Sequence, residues 1–277
     1  MITFANPVPV SDAQRLSYLE FARMAARRAG EATLPFFRTP LIVDHKPGLG
    51  RFDPVTEADR GAETVLRELI RERFPEHGVL GEEFGHQPGN GLTWVIDPID
   101  GTRAFMSGML HWGLLLGLFD GQEPIVGVMY QPFTRELWSG DGSAAWFQQG
   151  DGGAQRIHSR GVSDLAVATL GTTNPNLIAA GSAREGYDRL ERSVRLARYG
   201  GDCYVYAMVA MGFMDLGIDG GLHAYDVMGL IPVIRGAGGV ITNWAGESAC
   251  MGGNILASGN AVLHERALAV LSGAAGR

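Results

Sequence analysis

The 277-residue chain is 45% hydrophobic and 19% charged, enough apolar material for one large domain or two compact halves and too much for a disordered chain. A formal net charge of −7 and a pI near 5.5 argue against nucleic acid as a partner, since binding to a phosphate backbone depends on an excess of Lys and Arg. Cys203 and Cys250 stand far apart and outside C-x-x-C spacing, so neither a disulfide framework nor a zinc site is indicated, and a reducing cytoplasm fits.

Met1 to Val10 lacks a basic stretch followed by a long apolar run, so no signal peptide is expected. The most apolar window, Leu114 to Phe119, is too short to span a bilayer, and no membrane partner is expected. Ser11 or Asp12 can cap a first helix through about Phe37, with Leu16, Leu19, Phe21, Met24 and Ala25 on its apolar face. Lys46 to Phe52 is glycine-rich and reads as a loop, but it lacks the full pattern of a phosphate-cradling loop. Thr56 then caps a helix to about Phe74, whose buried stripe is Val65, Leu66, Leu69 and Ile70 and whose third position is Asp59. Taken alone, Asp59 there does no more than suit the helix dipole. Val79 to Gly81 is a short strand that runs into Glu82 and Glu83.

Thr93 to Ile96 reads as a buried strand that delivers Asp97-Pro98-Ile99-Asp100-Gly101-Thr102-Arg103. Carboxylates at the end of a buried strand are costly unless paired, and two of them make a bound cation the economical explanation. Pro98 stiffens the turn between them, and the Ile99 carbonyl is a third oxygen within reach. Gly101 and Thr102 offer backbone N–H groups and a hydroxyl to an anion at a helix start. The plain alternative, that Asp97 and Asp100 only cap a turn, accounts less well for the Pro and the Gly-Thr that accompany them.

Beyond Thr102 a meander is expected: Gly113 to Phe119, a turn at Asp120-Gly121, Ile125 to Tyr130, Leu137-Trp138, Ala144 to Phe147 and a tight turn at Gly150 to Gly153. From about Ile157 the pattern alternates. Strands are expected at Leu165 to Leu170, Met214 to Ile218, Val240 to Asn243 and Asn254 to Ser258, and helices at Glu185 to Leu196, Tyr204 to Met211, Tyr225 to Arg235 and Ala261 to Leu271. The division falls between an α+β half, residues 1–150, and an α/β half, residues 151–277. There is no internal repeat, no G-x-S-x-G, and no full G-x-G-x-x-G with a later acid, so a serine hydrolase and a dinucleotide site are not indicated.

The acids at the ends of apolar elements are Asp59, Glu82, Asp97, Asp100 and Asp226. They are all hard oxygen donors with no His or Cys cluster in competition, which is magnesium chemistry rather than zinc. Paired ions can hold the attacking and leaving oxygens of a phosphoryl transfer, and a dianionic ester would bring the site's charge close to balance.

In order and spacing, Pro54 to Asp59, Gly81-Glu82-Glu83, Trp94 to Thr102, and Tyr225-Asp226 with Gly236 to Gly239 resemble the inositol monophosphatase family over nearly the whole chain. The resemblance implies a magnesium-dependent, lithium-sensitive phosphomonoesterase, usually a homodimer, with a layered α/β/α/β/α fold and two or three Mg²⁺ ions. It implies Glu82, Asp97, the Ile99 carbonyl, Asp100 and Asp226 as metal ligands, with Glu82 also counted among the catalytic residues. Asp59 and Thr102 are implied as the pair that orients and deprotonates the attacking water, and Gly101 and Thr102 as phosphate contacts. Lys46 lies near a family lysine, but Gly48 to Phe52 departs from the pattern, so Lys46 is left out of the site. Arg103-Ala104-Phe105 and Gly200-Gly201-Asp202-Cys203-Tyr204 are similar to the histidinol-phosphate phosphatase branch. A protonated amine calls for an acid such as Asp202 or Asp219, whereas a neutral polyol does not, and Arg103 suits a phosphate or an acidic neighbour. The alternatives are an inositol-phosphate, other sugar-phosphate or nucleotide phosphatase with the same metal core, and a non-catalytic regulator that kept the fold.

Overall fold

The structure, a computed structural model, describes residues 5–40, 44–45 and 54–273. The glycine-rich loop expected at Lys46 to Phe52 lies outside the described residues. The first helix, α1 (Asp12–Glu31), opens on a Ser11–Gln14 capping box. It ends before the expected Phe37 and gives way to short turns (Phe36 N–H to Thr33 O, 3.1 Å; Phe37 N–H to Leu34 O, 3.2 Å). Pro35 explains the early stop: it has no N–H, and its ring collides with the carbonyl of Glu31 in any continued helix.

A two-stranded pair, β1 (Asp44–His45) with β2 (Pro54–Val55), precedes α2 (Glu57–Arg73). An eight-stranded sheet follows, made of β3 (Gly78–Gly81), β4 (Gly85–Gln87), β5 (Thr93–Asp100), β6 (Gly113–Phe119), β7 (Pro124–Gln131), β8 (Glu136–Gly140), β9 (Ala145–Gln149) and β10 (Gln155–Arg156). Its order is β10-β9-β8-β7-β6-β5-β3-β4, antiparallel except where β3 runs beside β5. The short helix α3 (Thr102–Met106) leaves the end of β5. The second sheet, of β11 (Thr169–Thr172), β12 (Leu196–Tyr199), β13 (Leu216–Leu222), β14 (Val240–Asn243) and β15 (Gly253–Ser258), has the order β12-β11-β13-β15-β14. The remaining helices are α4 (Ser182–Ser193), α5 (Cys203–Ala210), α6 (Ala224–Met228), α7 (Ile231–Gly236) and α8 (Ala261–Ser272).

The layers run α1 and α2, the eight-stranded sheet, α5 to α7, the five-stranded sheet, then α4 and α8, the α/β/α/β/α sandwich expected of the family. Two-residue alternation sorts the first sheet. On β6, Leu114, Leu116 and Leu118 face α1 and α2, whereas Leu115 and Phe119 face the middle layer. Among the described residues no helix is long and apolar enough to cross a membrane.

The helix expected at Glu185 to Leu196 stops at Ser193, since Leu196 opens β12, and two further elements differ. Leu165 to Leu170 is not one strand, because the Asp164 carboxylate accepts the Ala166 N–H (3.0 Å) and closes a 3₁₀ turn at Leu165–Val167 before β11 begins. The single helix expected at Tyr225 to Arg235 is split into α6 and α7, since Pro232 cannot donate to the carbonyl of Met228.

That split serves the packing. Gly117, Gly127 and Gly140 sit side by side across β6, β7 and β8, with Ala145 next in the row on β9. The backbone of α6 and α7 lies directly on this row. A Cβ on Gly117 would come 2.7 Å from the Met228 carbonyl oxygen, and one on Gly127 or Gly140 would overlap the carbonyls of Gly229 or Pro232. Gly127→Ala is therefore expected to lower stability by about 1–3 kcal/mol in urea denaturation. Gly153→Ala, where the added methyl meets nothing within 4 Å, should stay within about 0.5 kcal/mol of the parent.

Candidate active site

Asp97 and Asp100 are three residues apart, a spacing that in a regular strand sends side chains to opposite faces. The β5–β6 register shifts between them: Asp97 pairs with Leu115 and Asp100 with Gly113, so β5 holds one extra residue. This bulge, stiffened by Pro98, lets the two carboxylates converge on the middle-layer side. The row of glycines brings α6 to the same place, and carboxylate oxygens of Asp97, Asp100 and Asp226 all lie within 4.8 Å of one another.

Each acid is held. The Asp97 carboxylate accepts the Ile99 N–H (3.0 Å), Asp100 accepts the Cys203 N–H at the start of α5 (2.8 Å), and Asp226 accepts the His223 N–H (2.7 Å). Asp97 and Asp226 lie close enough for each to act on the other's charge. Burial is the main force on all three, and the neighbouring negative charges add to it. Asp97 is pushed well above the ordinary carboxylate range, by burial first and then by Glu82, Asp100 and Asp226. Burial raises Asp100 to about 8 with Asp226 contributing, and raises Asp226 to about 7 against the pull of the His223 N–H.

Among the described residues, the charges that act most on Asp97, those of Glu82, Asp100 and Asp226, are negative. Three crowded carboxylates presenting oxygen alone fit a hard divalent cation, which would reverse the upward shifts. Glu82 follows β3, where its N–H donates to the Ile96 carbonyl (3.2 Å), and its charge acts on Asp59, Asp97 and Asp226 together. Asp59 is buried in the first turn of α2, where one oxygen accepts both the Thr56 N–H (2.9 Å) and the Thr56 hydroxyl (2.6 Å). Burial lifts Asp59 to about 6 in spite of those bonds. The Thr102 hydroxyl donates to the Ile99 carbonyl (3.1 Å), so these two expected site atoms touch each other. Gly101 has φ +85°, and a Cβ there would meet the His111 carbonyl oxygen at 2.6 Å, so only glycine makes this turn without strain.

An open cleft of about 220 Å³ is lined by Asp100, Gly101, Thr102, Arg103, Asp202, Asp219 and Asp226 with Thr173, Leu177, Gly220 and Leu222. Asp202 has φ +43° and ψ −139°, a backbone region that suits glycine and that strains an Asp. Burial raises Asp202 to about 8, with Asp100 and Asp219 contributing and Arg103 opposing. Asp219 is more fully engaged: it accepts from the Thr172 hydroxyl (3.0 Å), the Thr173 N–H (2.8 Å) and the Tyr206 hydroxyl (3.1 Å). Beyond Asp202 the cleft continues into a second lobe with Met109, His111 and Asn174.

Sequence reasoning did not identify Thr173, His111 or Glu63. Thr173 and His111 lie in loops with no pattern to mark them. Glu63 left a signal, an acid on the apolar face of α2 one turn beyond Asp59.

The family model described as the inositol monophosphatase family matches residues 15–274. The chain is 34% identical to the chloroplastic bifunctional phosphatase IMPL2 of Arabidopsis thaliana, across 96% of this chain and 78% of that protein. It is also 34% identical to a histidinol-phosphatase of Mycobacterium tuberculosis, across 92% of this chain and 97% of the relative. Among solved structures, an inositol monophosphatase from Zymomonas mobilis matches with a TM-score of 0.83 at 34% identity, covering 95% of this chain and 99% of that one.

The carboxylate cluster has a consequence for stability. A carboxyl whose folded pKa is raised contributes stability below its unfolded value near 4 and loses it as pH rises through the folded value, here about 8 for Asp100. Metal-free protein in chelator is therefore expected to melt at progressively lower temperature from pH 5 to pH 9. Asp100→Asn, whose amide oxygen can still accept the Cys203 N–H, should flatten that decline and melt above the parent at pH 9. Parallel melting curves for the two proteins would show that repulsion at Asp100 does not limit the fold.

Proposed function

The chain belongs to the inositol monophosphatase family, whose members are metal-dependent phosphatases of small phosphate monoesters, and from that premise we propose that it hydrolyses L-histidinol phosphate to L-histidinol and phosphate. In this reading the half spanning residues 1–150 carries Asp59, Glu82, Asp97, Ile99 and Asp100. The half spanning 151–277 adds Asp226 and the specificity side of the pocket. Asp97, Asp100, Asp226, Glu82 and the Ile99 carbonyl would hold two or three Mg²⁺ ions. Bound there, the ions supply Lewis acidity to the phosphoryl group and a nucleophile at neutral pH. A homodimer, sensitivity to lithium and a cytoplasmic location accompany this reading on the family resemblance.

The chain's own groups then divide the work. Asp59 takes the proton that the attacking water loses, and Asp59 and Thr102 together orient that water. The backbone N–H groups of Gly101 and Thr102 and the guanidinium of Arg103 hold the phosphate oxygens on the cleft wall. Asp202 faces the other end of the ester.

The observation that carries the substrate is Asp202 itself: an acid held in a strained backbone, on the same cleft as the metal cluster, at the mouth of the lobe with His111 and Asn174. Strain of this kind costs on the order of 1–3 kcal/mol and persists at positions that function has fixed. A cationic substrate group would add to the positive charge of Arg103 near Asp202, and Asp219 adds negative potential beside it. The Zymomonas likeness favours inositol 1-phosphate as the second reading.

Magnesium-dependent phosphate release from L-histidinol phosphate and myo-inositol 1-phosphate separates the two. Asp97→Asn is expected to abolish turnover of both esters in a folded protein. A charge-assisted contact worth roughly 1.5–3 kcal/mol predicts that Asp202→Ala loses about 10- to 150-fold in kcat/KM on histidinol phosphate and little on the inositol ester. Asp202→Gly, free of the strain, should lose as much specificity while being more stable than Asp202→Ala. A parent enzyme that prefers inositol 1-phosphate, or equal impairment on both esters, would overturn the histidinol reading.

A further inference from the structure

We propose that Glu63 is a positioning residue for the ion site: with Arg67 it clamps the turn after β3 and thereby sets where Glu82 points. The proposal rests on the reading of Glu82 as a metal ligand given above.

Glu63 is fully buried on α2, between Ala62 and Leu66. A carboxylate in such a place is costly unless its oxygens are satisfied. Its Oε2 accepts the Glu83 N–H (2.8 Å), and its Oε1 accepts the Phe84 N–H (3.2 Å) and the Arg67 Nε–H (2.7 Å). Arg67 uses another nitrogen to donate to the Gly85 carbonyl, so helix and turn are joined at three successive residues, Glu83 to Gly85. Gly81, just before Glu82, makes room for this arrangement, because a Cβ there would overlap the Glu63 carboxylate. On its other side Glu82 is tied to β5 through its N–H bond to the Ile96 carbonyl.

Glu82 is thus gripped between the β3–β5 ladder and the Glu63–Arg67 pair. Asp59 and Glu63 are four residues apart and share one face of α2. One helix therefore places the proton acceptor directly and the carboxylate of Glu82 through the clamp. A buried ion pair that only stabilised α2 would need neither N–H bonds to the turn nor a glycine at position 81.

The test uses the full chain and Mn²⁺ as the probe ion, titrated calorimetrically without substrate, beside urea denaturation and steady-state kinetics. Glu63→Gln keeps the shape but turns an amide N–H toward a backbone N–H donor. It is expected to weaken Mn²⁺ binding by about 10- to 100-fold, the usual effect of losing a group that orients a ligand. Its kcat should approach the parent value at saturating metal, with KM for the ester unchanged. Glu82→Gln is the reference: parental affinity in that variant overturns the ligand assignment itself. Weakened binding in Glu82→Gln with parental binding in a folded Glu63→Gln overturns the clamp, whatever stability is lost. Should Glu63→Gln fail to fold, Arg67→Ala decides, with weaker Mn²⁺ binding expected and parental affinity contradicting the proposal.

Discussion

The close approach of α6 and α7 to the eight-stranded sheet is the constraint on which the rest depends. Gly117, Gly127 and Gly140 lie abreast, so helix backbone rests on strand backbone with no side chain between. Only this approach brings Asp226, in the first turn of α6, to Asp97 and Asp100 at the end of β5. The broken helix belongs to the same device, since the step between α6 and α7 places Gly229 over Gly127. The bulge in β5 completes it by turning Asp100 to the side that Asp97 already faces. Packing and chemistry are therefore set by one contact, between the eight-stranded sheet and the helices laid on it.

That contact assembles a cluster whose charges repel. Among the described residues, each carboxylate is oriented by a backbone N–H rather than by a basic side chain, from Ile99, Cys203 and His223 in turn. Such bonds fix geometry but leave most of the charge in place, and burial raises all three acids. The arrangement gives up stability in the metal-free protein in return for a cluster of oxygen donors that fits a metal ion. The strained backbone of Asp202, on the same cleft, follows the same logic.

Much of the site was legible because its carboxylates sit in short runs with their own punctuation. The stretch from Asp97 to Thr102 holds acids, a proline, a glycine and a hydroxyl at the end of an apolar strand, and no ordinary turn needs them all. The layered architecture was legible through the family resemblance and through the change of period beyond Ile157. Other features depend on partners distant in sequence. The row of glycines becomes visible only once the register of β6, β7 and β8 is known, because the residues lie 10 and 13 positions apart. The break at Pro232 was masked by an apolar pattern that continues across it. Strands β4 and β10 escaped notice because they are short and mostly exposed. Glu63 could not be distinguished from a surface acid until the turn it grips was placed beside α2.

The most direct test of the account is an anomalous-difference map from crystals of the full chain soaked in Mn²⁺. The account predicts a strong peak among the Asp97, Asp100 and Asp226 carboxylates, with Glu82 contributing to the coordination of the site. Occupancy there should fall in Asp226→Asn. A map without density between these acids, or with its dominant peak elsewhere on the molecule, would contradict the claim that β5 and α6 are brought together to hold a divalent cation.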